Sequence, residues 1–73
     1  MARAFDPETV KIVSVAYESA WREIEAALAK PMSKAKRTET SAALTRELLA
    51  AVEAGERDPD KLRTIALSAM RSR

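Results

Sequence analysis

Apolar residues in the first third of the chain recur at spacings of three and four: Val10, Val13, Tyr17, Ala20, Trp21, Ile24, Ala27 and Leu28. At 100° per residue these share one side of an α-helix, which makes them the expected core seam of a first helix over residues 7–30. Its start is written in Asp6-Pro7-Glu8: an oxygen-bearing cap, a proline whose missing N–H costs nothing at that position, and an acid facing the positive end of the helix dipole. Proline at 31 pushes Lys30 out of helical backbone and ends the element. Ile12 and Val15 fall on another side of this helix, so its first half is apolar nearly all round and needs a second cover.

A second stripe, Ser41, Leu44, Thr45, Leu48, Ala51 and Val52, predicts a second helix over 38–54. Its start is open among three capping residues, Ser33, Thr38 and Thr40, whereas its end is fixed by Gly55, a residue that closes a helix in left-handed backbone at little cost. Asp58-Pro59-Asp60 then repeats the start grammar of Asp6-Pro7-Glu8 and opens a third helix over 59–70. Leu62, Ile65, Ala66 and Ala69 form its stripe, widened by Leu67 and Met70. The expected fold is all-α: one domain over 1–73, a three-helix bundle running up-down-up through short connections.

Composition narrows the chemistry. The 73 residues contain neither cysteine nor histidine, which removes disulfides, zinc sites of the usual ligand type and the commonest general base. No catalytic, cofactor or metal constellation emerges, and the expectation is a protein that binds and does not catalyse. Ser33-Lys34-Ala35-Lys36 satisfies the pattern of serine-lysine acyl enzymes, but their companion motifs are missing and chance explains it. No uncharged run approaches the roughly 18 apolar residues of a membrane span, and no apolar signal core follows Met1, so a cytoplasmic setting is expected.

Alanines at 20, 27, 51, 66 and 69 let helices approach closely but bury little area. The core is therefore thin, and Trp21 and Tyr17 are its expected anchors; full burial of Trp21 would make its truncation to alanine cost about 3–5 kcal/mol. So short a chain gains from a partner, and Ile12 and Val15, with Phe5 and Leu67, are the candidate interface of a homodimer or protein complex, unless the third helix covers them.

Net charge is only +2, yet its distribution is uneven. Residues 30–37 carry four bases and no acid, and residues 61–73 do the same. An up-down-up bundle would gather Lys30, Lys34, Lys36, Arg37, Arg71 and Arg73 at one pole and the acids at the other. Dipole compensation explains the acids and bases of the first and third helices but not Lys34, Lys36 and Arg37 at the positive end of the second. These bases could face an anion, so a small nucleic-acid binder is the alternative to a protein-interaction module. A helix-turn-helix is disfavoured: Ala51 and Gly55 match, but Lys61 and Thr64 stand where the recognition helix should dock, and Asp58 and Asp60 would face phosphates.

Phe5-Asp6-Pro7-Glu8-Thr9 and Gly55-Glu56-Arg57-Asp58-Pro59-Asp60-Lys61-Leu62-Arg63-Thr64-Ile65-Ala66-Leu67 resemble stretches of a group of small uncharacterised bacterial proteins of similar length. The shared residues are helix caps and a core stripe, so the resemblance supports three helices and implies no activity or site.

Overall fold

Three capped helices account for the architecture of the computed structural model, which describes residues 6–72. They are α1 (Pro7–Ala27), α2 (Lys34–Glu53) and α3 (Pro59–Arg71), and no strand occurs among the described residues. The Asp6 carboxylate accepts the Thr9 N–H at 2.7 Å, and the Asp58 carboxylate accepts the Asp60 N–H at 2.9 Å. Each cap satisfies a donor that the first turn would otherwise leave unpaired. Ser33 plays the same part for α2, accepting the Lys36 N–H at 3.2 Å.

Two boundaries differ from those the pattern predicts. The first helix stops at Ala27 instead of 30, because Leu28 is already extended (φ −86°, ψ 138°) as the chain prepares for Pro31. The second starts four residues before 38, on the earliest of its three capping candidates. Its other end closes as expected: Gly55 takes φ +110°, its N–H reaches the Val52 carbonyl, and the Glu56 N–H reaches back to Ala51. This pair of reverse bonds is the Schellman closure, which requires a residue tolerant of positive φ. Arg57 adds a third cap, its guanidinium donating to the Val52 carbonyl at 2.7 Å.

Ala16, Ala20, Leu44, Leu48, Ala51, Val52, Leu62 and Ala66 form the buried core. Half of them are alanines, so only Leu44, Leu48, Leu62 and Val52 supply large buried side chains, each worth about 1.5–3 kcal/mol. The seam of α1 is rotated from the expected stripe. Its buried residues are Thr9, Ala16 and Ala20, whereas Val10 is 51% and Leu28 40% exposed, and Ala27 lies open. The reason is that α1 has two neighbours. Its innermost line faces the junction of α2 and α3, where only small side chains fit, and its larger residues flank that line.

The flanks are visible in the contacts. On one side Tyr17 shares a hydrogen bond with Ser41 of α2, and Trp21 lies under Arg37. Four residues forward along α1 match four backward along α2, an antiparallel hairpin in one-turn register. On the other side Arg63 of α3 reaches Glu23 at 3.0 Å and Ser19 at 3.2 Å. Of the expected α3 stripe, Leu62 and Ala66 are buried, Ala69 is half-buried and Ile65 is 43% exposed. No described helix is long and apolar enough to cross a membrane.

Candidate functional site

The outer side of the α1–α2 hairpin, opposite the side that α3 covers, is an open groove. At its middle lies a cleft of about 800 Å3 walled by Tyr17 and Trp21 of α1 and by Arg37, Ser41 and Ala42 of α2. Toward the α1–α2 turn it continues past Trp21 and Arg37 into a hollow of about 350 Å3 bounded by Leu28, Pro31 and Met32. Toward the other end Tyr17 leads into a smaller hollow with Val13, Thr45 and Leu48. Adjacent hollows share their boundary residues, so the groove is continuous from Val13 to Leu28, about 22 Å along the helix.

Trp21 is the hub. Its ring meets Tyr17 edge-on, with centroids 6.3 Å apart and planes at 70°, and the Arg37 guanidinium carbon lies 4.8 Å from its centroid. Arg37 is fixed from the far side by Glu25 at 3.1 Å. Both members of that ion pair are more than half exposed, so the pair orients the arginine more than it stabilises the fold. Trp21 is half-buried, packed on the core by one side and lining the groove by the other. The expected burial of Trp21 as a core anchor is thus only half realised.

Two of the three bases that opposed the dipole of α2, Lys36 and Arg37, have local partners. Lys36 approaches Glu39 at 3.5 Å, one turn on, and Arg37 holds Glu25 and Trp21. Lys30, Lys34, Lys36 and Arg37 do cluster at the α1–α2 turn, all exposed. Arg71 lies elsewhere, in a shallow groove on the α1–α3 seam with Glu23, Arg63 and Leu67, and Arg73 falls outside the described residues. The five described bases do not share one groove: Lys30 and Arg37 border the α1–α2 groove, while Arg71 borders the α1–α3 seam.

Nor is the candidate interface one face. Ile12 and Leu67 are half-buried against the core, Val15 is 48% exposed, and Phe5 falls outside the described residues. Packing between α1 and α3 draws Ile12 and Leu67 inward and leaves Val15 as a single exposed valine, which is ordinary for a protein surface.

Ser33 of the acyl-enzyme pattern spends its oxygen capping α2, and the Lys36 ammonium faces Glu39. Lys61 and Thr64 are exposed, away from any docking role for α3. Glu23 and Glu25 pair across helices with Arg63 and Arg37. Among the described residues no group of three or more carboxylates is placed to hold a metal ion.

Among the described residues Asp6 is the titratable group with a resolved shift. Hydrogen bonds from the Thr9 side chain and then its backbone N–H, with a smaller attraction from Arg57, hold its carboxyl below the ordinary value of 3.8. It serves the helix start and lies at the opposite end of α1 from the turn.

What sequence reasoning missed is the groove itself. Tyr17, Trp21 and Leu28 belong to the expected core stripe, yet they line the open edge of the groove. A signal existed in the mixture on that edge: aromatic residues beside Glu18, Arg22 and Glu25, which no core position would tolerate. No family model, curated protein or solved structure matches the chain.

Proposed function

We propose that this chain is a non-enzymatic helical interaction module that takes a protein segment along the open α1–α2 groove. The observation that carries this reading is Trp21, half-buried under Arg37 and shared by two adjoining hollows of the groove. Tryptophan, tyrosine and arginine are the residue types that contribute most at protein interfaces, and here all three meet in one cleft. Burying the remaining Trp21 and Tyr17 surface, together with the exposed Leu28, would also relieve a thin core. The absence of cysteine from the sequence suits a reducing compartment, the cytoplasm.

The charge on the rim favours protein over nucleic acid. Glu18 and Glu25 stand beside Arg22 and Arg37 around the central cleft, so a phosphate backbone would meet as many acids as bases. An amphipathic helix laid into such a groove would satisfy both signs while its apolar face covers the aromatic floor.

Purification of the chain from its source cell, with and without nuclease, tests the reading. A stoichiometric protein partner, or a second copy, should survive nuclease and be lost from a Leu28→Glu variant, whose substitution lies at an exposed position on the groove. Release of the bound material by nuclease, or its retention by the variant, contradicts the proposal.

A further inference from the structure

We infer that the segment held in the groove is acidic at the end lying over the α1–α2 turn, where one of its large apolar side chains fills the hollow beside Trp21 and its carboxylates meet Lys30 and Lys34. The inference rests on the groove being the interaction face and adds the chemistry of its occupant.

The first support is the hollow. Trp21, Leu28, Pro31 and Met32 bound it, at the end of the groove where residues 28–33 connect the two helices. Leu28 and Pro31 are exposed, and Trp21 and Met32 are half-buried, so apolar atoms stay open to solvent there. Its volume of about 350 Å3 lies at the small end of the roughly 300–1,000 Å3 of clefts that hold a ligand, and it takes one large side chain, not the whole face of a helix.

The second support is charge. Residues 25–39 carry Lys30, Lys34, Lys36 and Arg37 against Glu25 and Glu39. Both acids are already engaged, Glu25 by Arg37 at 3.1 Å and Glu39 by Lys36 at 3.5 Å. Lys30 and Lys34 are exposed and have no acidic partner among the described residues. This surplus equals the net charge of +2 of the whole chain, so the remainder is neutral in sum. Lys30 borders the hollow itself. Lys34 precedes Arg37 and Thr38, which wall the central cleft, by three and four residues and so stands on the same side of α2. A carboxylate one turn from the inserted side chain reaches these ammonium groups, whereas a basic segment would bring like charges together. A nucleic-acid strand would find the same ammonium groups but would meet Glu18 and Glu25 as it continued along the central cleft.

Selection of short random peptides displayed on phage against the immobilised full chain tests this; enriched sequences that lack tryptophan are then synthesised and titrated in solution. They should combine a large apolar residue with aspartate or glutamate within one helical turn, and their binding should move the emission of the chain's one tryptophan to the blue. Lys30→Glu, Lys34→Glu should raise the dissociation constant roughly tenfold, through two contacts changed from opposite to like charge. Peptides remade with lysine at their acidic positions should reverse that order and prefer the Lys30→Glu, Lys34→Glu chain, a reversal that loss of folding would not produce. Enriched peptides without an acidic bias, binding indifferent to Lys30→Glu, Lys34→Glu, or unmoved Trp21 emission overturns the inference. An empty selection overturns it too, as does a single-stranded DNA oligonucleotide that binds more tightly than the peptides and displaces them. The wider reading of the groove falls separately, only if the Leu28→Glu variant retains its co-purifying protein.

Discussion

The guanidinium carbon of Arg37 lies 4.8 Å from the centroid of the Trp21 ring, joining the first turns of α2 to the last turns of α1. This contact explains a base at the unfavourable end of a helix dipole: what Arg37 loses there is offset by Trp21 beneath it and Glu25 beside it. The coupling between Trp21 and Arg37 should be about 0.5–1 kcal/mol, as expected for a partly exposed cation over an aromatic face. A double-mutant cycle of Trp21→Leu and Arg37→Met in urea denaturation measures it; coupling indistinguishable from zero would mean the stacking is incidental.

Arg63 holds α3 in place. Its guanidinium bonds Glu23 and Ser19 of α1 while its side chain is only 28% exposed, so the stem packs and the head pairs. Arg63→Ala should destabilise the fold by about 1–2 kcal/mol, and Arg63→Met should recover part of that through the stem. Equal losses for the two variants would place the whole effect in the charge.

The start of α2 is a test of capping. Ser33→Ala should cost about 1 kcal/mol, read as a lower urea midpoint, while Thr38→Ala, at an exposed position already inside the helix, should change little. The reverse order would move the helix start to the later candidate.

Asp6 makes the start of α1 sensitive to acid. Its folded pKa lies below 3.8, so its contribution is present above that value and is lost as pH falls through the lowered folded pKa. Asp6→Asn keeps a capping oxygen without a titrating charge. In acid titrations followed by circular dichroism, the wild type should lose stability below pH 3.8 more steeply than Asp6→Asn. Parallel curves would assign acid sensitivity to other carboxylates.

Start signals were the most legible feature of the sequence, because a cap is local: Asp6-Pro7 and Asp58-Pro59 need only their own next turn to act. Gly55 was readable for the same reason, since its φ of +110° is a property of one residue. The orientation of α1 was not. Periodicity found a stripe of large residues, but a helix with two neighbours buries the line between them, where Ala16 and Ala20 fit and Trp21 does not. The same limit hid the groove, and it gave no sign that α1–α3 packing draws Ile12 and Leu67 of the expected interface inward. Cross-helix pairs such as Arg63 with Glu23 join residues 40 positions apart, and no local pattern announces them.

The most direct test of the groove as the interaction face compares two variants by purification from the source cell after nuclease treatment. Leu28→Glu places charge on the groove edge, and Val15→Glu places it on the far flank of α1, at comparable exposure. The account predicts that the first variant loses the co-purifying protein and that the second keeps it. A Val15→Glu chain that loses this protein beside a Leu28→Glu chain that keeps it would contradict the account and place the interface on the opposite side of the helix.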